Sequence, residues 1–170
     1  MNIAFLAHDK KKELMVQFCT AYKSVLMKHN LFATATTGRL IGDNTGLPIT
    51  LLLSHKQGGH QQINARIAYN EIDLVLLFTD PNTTDPWDDS QMSETIRACD
   101  KHNVPIATNL ASAEMLIMGL QRGEAVGRIG IAQDLHHALQ LRLLCRQQLH
   151  KTGQGPGLND IHKCFISVKR

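Results

Sequence analysis

Five short apolar runs recur along the chain, separated by stretches with helix-like spacing. Residues 2–7 (NIAFLA), 31–35 (LFATA), 49–53 (ITLLL), 73–79 (DLVLLFT) and 104–108 (VPIAT) read as strands, and 10–28, 37–44, 60–71, 90–102 and 110–120 as the intervening helices. Strands that are apolar almost throughout must be covered on both faces. With a helix in every connection, they predict a central, mainly parallel five-stranded sheet in one three-layer α/β domain. Ligands of such sheets bind at the carboxyl ends of the strands, so the residues after each run are the ones to search for chemistry.

Past Gly123 the pattern changes. Residues 132–148 place Leu135, Leu139 and Leu143 at helical spacing, with Ala138 and Leu141 on the adjoining row. The run KTGQGPGLND (151–160) reads as a flexible connection, and 162–170 as a strand at an edge or between subunits. Residues 1–125 are thus expected to form the α/β domain. Residues 126–170 form an extension packed on it or on a neighbouring subunit.

Composition narrows the function. The chain has 170 residues, 43% of them apolar, enough for one domain with a real core. A net charge of +3, with one tight basic cluster at Lys10, Lys11 and Lys12, argues against a nucleic-acid or membrane-surface partner. No apolar run reaches the ~20 residues of a membrane span. The N-terminus places its apolar residues before its charges and is too short for a signal peptide, so a cytoplasmic location is expected. Cys19, Cys99, Cys145 and Cys164 lack C-x-x-C or zinc-like spacing. Neither a disulfide framework nor a metal is predicted, and Cys19 and Cys99 read as small core residues.

The strand ends carry most of the polar chemistry. The first ends in His8-Asp9, with Lys12 one turn on and able to point into the same cleft. Asp9 could equally be an ordinary N-cap beneath a solvated lysine triplet. The second ends in Thr34, Thr36, Thr37 and Gly38, a phosphate-holding set or simply a threonine cap. The third ends in Ser54-His55-Lys56-Gln57-Gly58-Gly59-His60, a glycine loop opening a helix, where backbone closely approaches a ligand. The fourth ends in Asp80-Pro81 and a polar loop, which without a functional role needs only turn prolines and a helix cap at Ser90. The fifth ends in Asn109, an N-cap residue. Together these groups form a phosphomonoester cradle, with His8, His60 and Asp80 able to handle protons.

These motifs, in order and almost without gaps, resemble the methylglyoxal synthase family. They are AHDxxK (Ala7–Lys12), ATxTTGxL (Ala33–Leu40), GGxQQ (Gly58–Gln62), Asp80-Pro81 and NxPxATNxA (Asn103–Ala111). The resemblance runs from about Asn2 to Ala113. It implies a small α/β protein, typically hexameric, that converts dihydroxyacetone phosphate to methylglyoxal and phosphate without metal or organic cofactor. It implies that Lys12, Thr34, Thr36, Thr37 and Ser54 line a phosphate pocket, with His8, Asp9 and Asp80 in the active-site shell. The same fold serves regulatory and biosynthetic domains whose ligands are phosphorylated metabolites and nucleotides.

The chain departs from that pattern at the chemistry. The family has its catalytic aspartate directly after Gly-Gly, where this chain has His60. Trp87 follows Pro86, where the family has a histidine that polarises the substrate carbonyl. A second catalytic aspartate falls at Ser90, leaving Asp89 as an approximate replacement. Ser-Gly-Pro after the third strand becomes Ser54-His55-Lys56, and spacing assigns no residue to an arginine that the family uses near its C-terminus.

A neutral imidazole can accept a carbon-bound proton, its reference pKa being ~6.5. It differs from aspartate in reach, however, and a phosphate beside it would favour the inert cation. Misplacement by ~1 Å can cost ~100-fold in rate, so little ordinary synthase activity is expected. His55, Lys56 and His60 add donors and potential positive charge, and Trp87 offers a flat face, a set suited to a nucleotide; equally, Trp87 packs over the loop. Three readings follow. One is a protein that binds a phosphorylated metabolite or nucleotide with the lyase reaction lost or altered. The second is an active synthase using His60 as base, helped by Asp80 or Asp89. The third is a non-catalytic assembly or partner-binding module built on the C-terminal extension.

Overall fold

The computed structural model describes residues 1–123, the side chains of Trp87 and Asp88 excepted. They lie within the first of two units into which the chain divides, Met1–Ile131. The domain boundary at 125/126, the helix over 132–148, the connection and strand after it, Cys145 and Cys164 fall outside the described residues.

Five parallel strands form one sheet: β1 Asn2–Ala7, β2 Asn30–Thr34, β3 Ile49–Leu52, β4 Leu74–Phe78 and β5 Ile106–Ala107, in the order β3-β2-β1-β4-β5. The intervening helices are α1 Lys12–Ala21, α2 Lys23–Leu26, α3 Ala35–Thr45, α4 Gly59–Ala68, α5 Pro86–His102 and α6 Leu110–Gln121. All five expected strands are present, each within two residues of its predicted ends. The continuous apolar runs have the expected cause. In β4 every residue is buried, and successive side chains enter opposite layers. Ile3, Phe5, Leu74, Leu76 and Phe78 pack with Met15, Phe18, Ile41 and Ile117 on one face. Ala4, Leu6, Val75 and Leu77 pack with Ile63, Ile67, Met92 and Cys99 on the other. Cys19 and Cys99 are buried core residues, as expected.

The helix boundaries need three corrections. The single helix expected over 10–28 is a 3-10 turn over Asp9–Lys11 followed by α1 and α2, broken at Tyr22 (φ −104°, ψ 20°). Tyr22 leaves helical geometry where its ring stacks obliquely on Phe18, with centroids 4.9 Å apart. The second strand gives way to α3 at Ala35, one residue early, because Ala35 N–H is drawn to the Leu53 carbonyl of the neighbouring strand end (3.3 Å). Ser90 is not a cap, since α5 already begins at Pro86. Proline suits a first helical position, where its missing N–H would have no partner and its φ is preset.

Chain order gives the sheet its site. The connections run from β1 outward through β2 to β3, then return to the other side of β1 for β4 and β5. Between β1 and β4 the direction reverses, and there the strand ends open a crevice.

Candidate functional site

His8 directly follows β1 and Asp80 follows β4, so the two flank that reversal. His8 Nδ1 accepts the Asp80 backbone N–H at 2.6 Å, and His8 N–H donates to the Phe78 carbonyl at 3.0 Å. With Nδ1 accepting, the neutral His8 ring carries its proton on Nε2, a buried nitrogen. Asp80 is itself buried, and its Oδ1 accepts from Asn82 N–H at 3.2 Å while Lys10 Nζ lies 3.6 Å from Oδ2. The Asn82 N–H above all, helped by Lys10 and Lys11, holds the Asp80 carboxyl below its ordinary range and keeps it ionised.

The residue before the 3-10 turn is His8, so Asp9 is not the N-cap; it sits in the first turn, exposed, and pairs with Lys12. The Lys12 hydrogen bond lowers the Asp9 pKa, with smaller contributions from the charges of His55 and Lys56. Lys12 opens α1 and is mostly covered, its ammonium paired with the exposed Asp9 carboxylate.

At the end of β2 the capping explanation fails. Thr34 occupies the N-cap position of α3 but makes no side-chain cap bond. Instead its hydroxyl meets that of Thr37 at 3.4 Å, both residues being buried, while Thr36 is exposed. Hydroxyls gathered at an uncapped first turn suit an anion. Gly38 has a packing role: a Cβ there would stand 2.5 Å from Leu51 Cδ2 and 3.1 Å from Ala33 Cβ.

The glycine loop also has a local explanation. Gly58 lies at φ +96°, the left-handed region that favours glycine. A Cβ on Gly59 would come within 2.2 Å of the Leu53 carbonyl oxygen, so the close backbone approach foreseen for a ligand is made by the chain itself. Ser54 Oγ donates to Gln57 Oε1 at 2.8 Å, Gly59 N–H to the Ser54 carbonyl at 3.0 Å, and Leu53 N–H to Gln62 Oε1 at 2.8 Å. These bonds fold the loop back on the end of β3 and set the direction of α4.

His60, the second residue of α4, is buried. Its ring meets that of His55 edge to face, with centroids 4.9 Å apart, and its Nδ1 lies 3.5 Å from Thr95 Oγ1 on α5. Burial, with His55 and His8 acting in the same direction, pushes its pKa down to about 4. The positive charge expected at this position is therefore absent at neutral pH, because desolvation of the ring and its basic neighbours all disfavour the cation.

Four strand ends thus bring together His8, Asp9 and Lys12; Thr34 and Thr37; Ser54, His55 and His60; and Asp80. Asp89 is not brought in: it is exposed in the first turn of α5, and among the described residues no hydrogen bond or ion pair ties it to this cluster. Asn109 is a plain cap, accepting Ser112 N–H at 3.0 Å. Lys10, Gln91 and Thr95 were missed in the sequence. The one local signal for the last two was a pair of polar residues, four apart, on the same side of α5 as the apolar Met92 and Cys99.

Comparison with known proteins agrees with this architecture. A family model described as MGS-like domain matches residues 14–108. The chain is 55% identical over 124 residues to a methylglyoxal synthase of Caldicellulosiruptor saccharolyticus, covering 73% of this chain and 87% of the relative. It is 52% identical over 124 residues to one from Oceanobacillus iheyensis, covering 73% and 88%. The crystal structure of methylglyoxal synthase from Elizabethkingia anophelis NUHP1 superposes with a TM-score of 0.63 at 37% identity, covering 68% of this chain and 76% of that one. With the parallel sheet, the ordered motifs at its strand ends and these matches in hand, the chain belongs to the methylglyoxal synthase-like family.

Proposed function

We propose that the strand-end pocket binds a small phosphomonoester of the dihydroxyacetone phosphate type, and that His60 is its proton acceptor. The protein is then a methylglyoxal synthase whose proton-transfer step is altered. Removing a proton from the hydroxymethyl carbon leaves an enediolate. Breaking the bond between carbon and phosphate oxygen expels phosphate, and the remaining enol rearranges to methylglyoxal. Thr34, Thr37 and Lys12 hold the phosphate, and His8 Nε2–H is a donor for the developing oxyanion.

One observation carries this reading: His60 is buried beside His8 and His55 and held neutral. A cationic ring could not take a proton, whereas a ring with a pKa of about 4 has nearly the proton affinity of an aspartate, ~3.9. The relatives' shared name supports the same substrate. The step is slower than with a carboxylate because imidazole has a different reach, and ~1 Å can cost ~100-fold. Asp89, outside the cluster, favours a second reading, in which the pocket binds the phosphomonoester without turning it over. A cytoplasmic location and a homo-oligomeric state complete the proposal, the second open to light scattering on the purified chain.

The deciding experiment measures methylglyoxal and phosphate release from dihydroxyacetone phosphate, together with binding, on one preparation. Turnover above the spontaneous rate, lost in His60→Ala and raised in His60→Asp, is the expected result. Binding without turnover in either the native protein or His60→Asp selects the second reading. No binding overturns both.

A further inference from the structure

A polar pair is buried where α4 packs on α5, in a layer otherwise made of Ile63, Ile67, Met92 and Cys99. Thr95 is fully buried there, and its hydroxyl donates to the Gln91 carbonyl one turn earlier at 3.1 Å. This is the back-bond that a threonine inside a helix commonly makes. It uses the hydroxyl's only proton. Toward His60 Nδ1, 3.5 Å away, Thr95 Oγ1 can therefore serve only as acceptor. A hydrogen bond between the two then requires the imidazole proton on Nδ1, which leaves the lone pair on Nε2. A free histidine side chain favours the opposite tautomer, so the protein has to impose this one.

We propose that Thr95 is a positioning residue that holds His60 in the Nδ1–H tautomer and so makes Nε2 the nitrogen that takes the substrate proton. The inference rests on His60 being the proton acceptor and adds which atom accepts and what selects it. The surroundings leave few alternatives. Gln91, whose carbonyl anchors the hydroxyl, is itself braced by Gln61 Nε2–H donating to its Oε1 at 2.7 Å. The His55 ring stands against His60 edge to face and limits its rotation. Burial of the residue lessens the competition from water that would let the tautomers mix.

Imidazole 15N–1H correlation spectra of the full chain at neutral pH test this directly. His60 should show a pyrrole-type Nδ1 and a pyridine-type Nε2. Thr95→Ser should keep that signature, and Thr95→Val, of equal size but without the hydroxyl, should shift it toward Nε2–H. Turnover should follow, with kcat lower by about tenfold in Thr95→Val at similar KM and near the native value in Thr95→Ser. An Nε2–H ring in the native protein, or an unchanged ring in Thr95→Val, overturns the proposal. Should Thr95→Val not fold, the native ring together with Thr95→Ser decides it. The tautomer is read without turnover. An Nδ1–H ring in a protein that does not turn over substrate would overturn the proton-acceptor role and leave the Thr95 hold intact.

Discussion

His8 Nδ1 receives the backbone N–H of Asp80 at 2.6 Å, tying the end of β1 to the segment after β4 where the sheet reverses its order. The bond does two things at once. It fixes the His8 tautomer with the proton on Nε2, and it holds the Asp80 carboxylate at the end of β4 without using either carboxylate oxygen.

Removing that acceptor strands a buried donor. His8→Ala should lower stability by ~1–3 kcal/mol, the usual cost of an unsatisfied buried N–H. Urea denaturation at neutral pH measures it, and a change within the scatter of surface substitutions would show that the bond contributes little.

The two loop glycines should respond differently. Gly58→Ala places a side chain at φ +96° and should cost ~1–2 kcal/mol through backbone strain alone. Gly59→Ala drives a Cβ to 2.2 Å from the Leu53 carbonyl oxygen and should cost more, because backbone rather than a flexible side chain must move. Equal stabilities for the two variants would refute the crowding explanation.

The buried imidazole predicts a pH dependence. His60 has a folded pKa of about 4 against 6.5 when unfolded, so between those values the unfolded chain binds the extra proton. Its contribution is fully present above pH 6.5 and is lost as pH falls toward 4, by up to about 3 kcal/mol in all. Asp9 and Asp80, whose pKa values are depressed below 3.8, lose theirs only at lower pH. His29, also lowered by burial, adds a loss on the acid side of its ordinary value, so the comparison needs a variant. His60→Asn should flatten the slope between pH 6.5 and 4 relative to the native protein; parallel curves would mean that the ring is not held neutral.

Phosphate binding gives the fourth prediction. Thr37→Val and Lys12→Ala should each weaken binding of inorganic phosphate, by roughly tenfold or more if each donates one bond to a charged oxygen. Calorimetry or thermal shift reads this. Unchanged affinity in both would place the anion elsewhere.

Much of this was legible along the chain because it depends on near neighbours. Continuous apolar runs such as LVLLF require a strand covered on both faces, and a parallel sheet directs attention to the carboxyl ends of its strands. Some readings gain a different local explanation where distant groups intervene. Thr34 looked like a cap, yet its hydroxyl turns to Thr37. The Gly58-Gly59 pair looked like a ligand loop, yet it is shaped by contact with Leu53. Asp89 looked like a stand-in carboxylate, but helix α5 starts four residues earlier than its serine suggested, which leaves Asp89 exposed in the first turn.

The sequence by itself determined the layered sheet, the carboxyl edge at which to look for a site and the residue types gathered there, since each follows from local periodicity and motif order. It could say that histidine stands after Gly-Gly. Only the tertiary structure decided what that histidine is. Burial between α4 and α5 discharges it, and a threonine 35 residues away meets its Nδ1. Charge state and tautomer depend on desolvation and on partners brought together by folding, and neither is encoded in the neighbours of His60 along the chain.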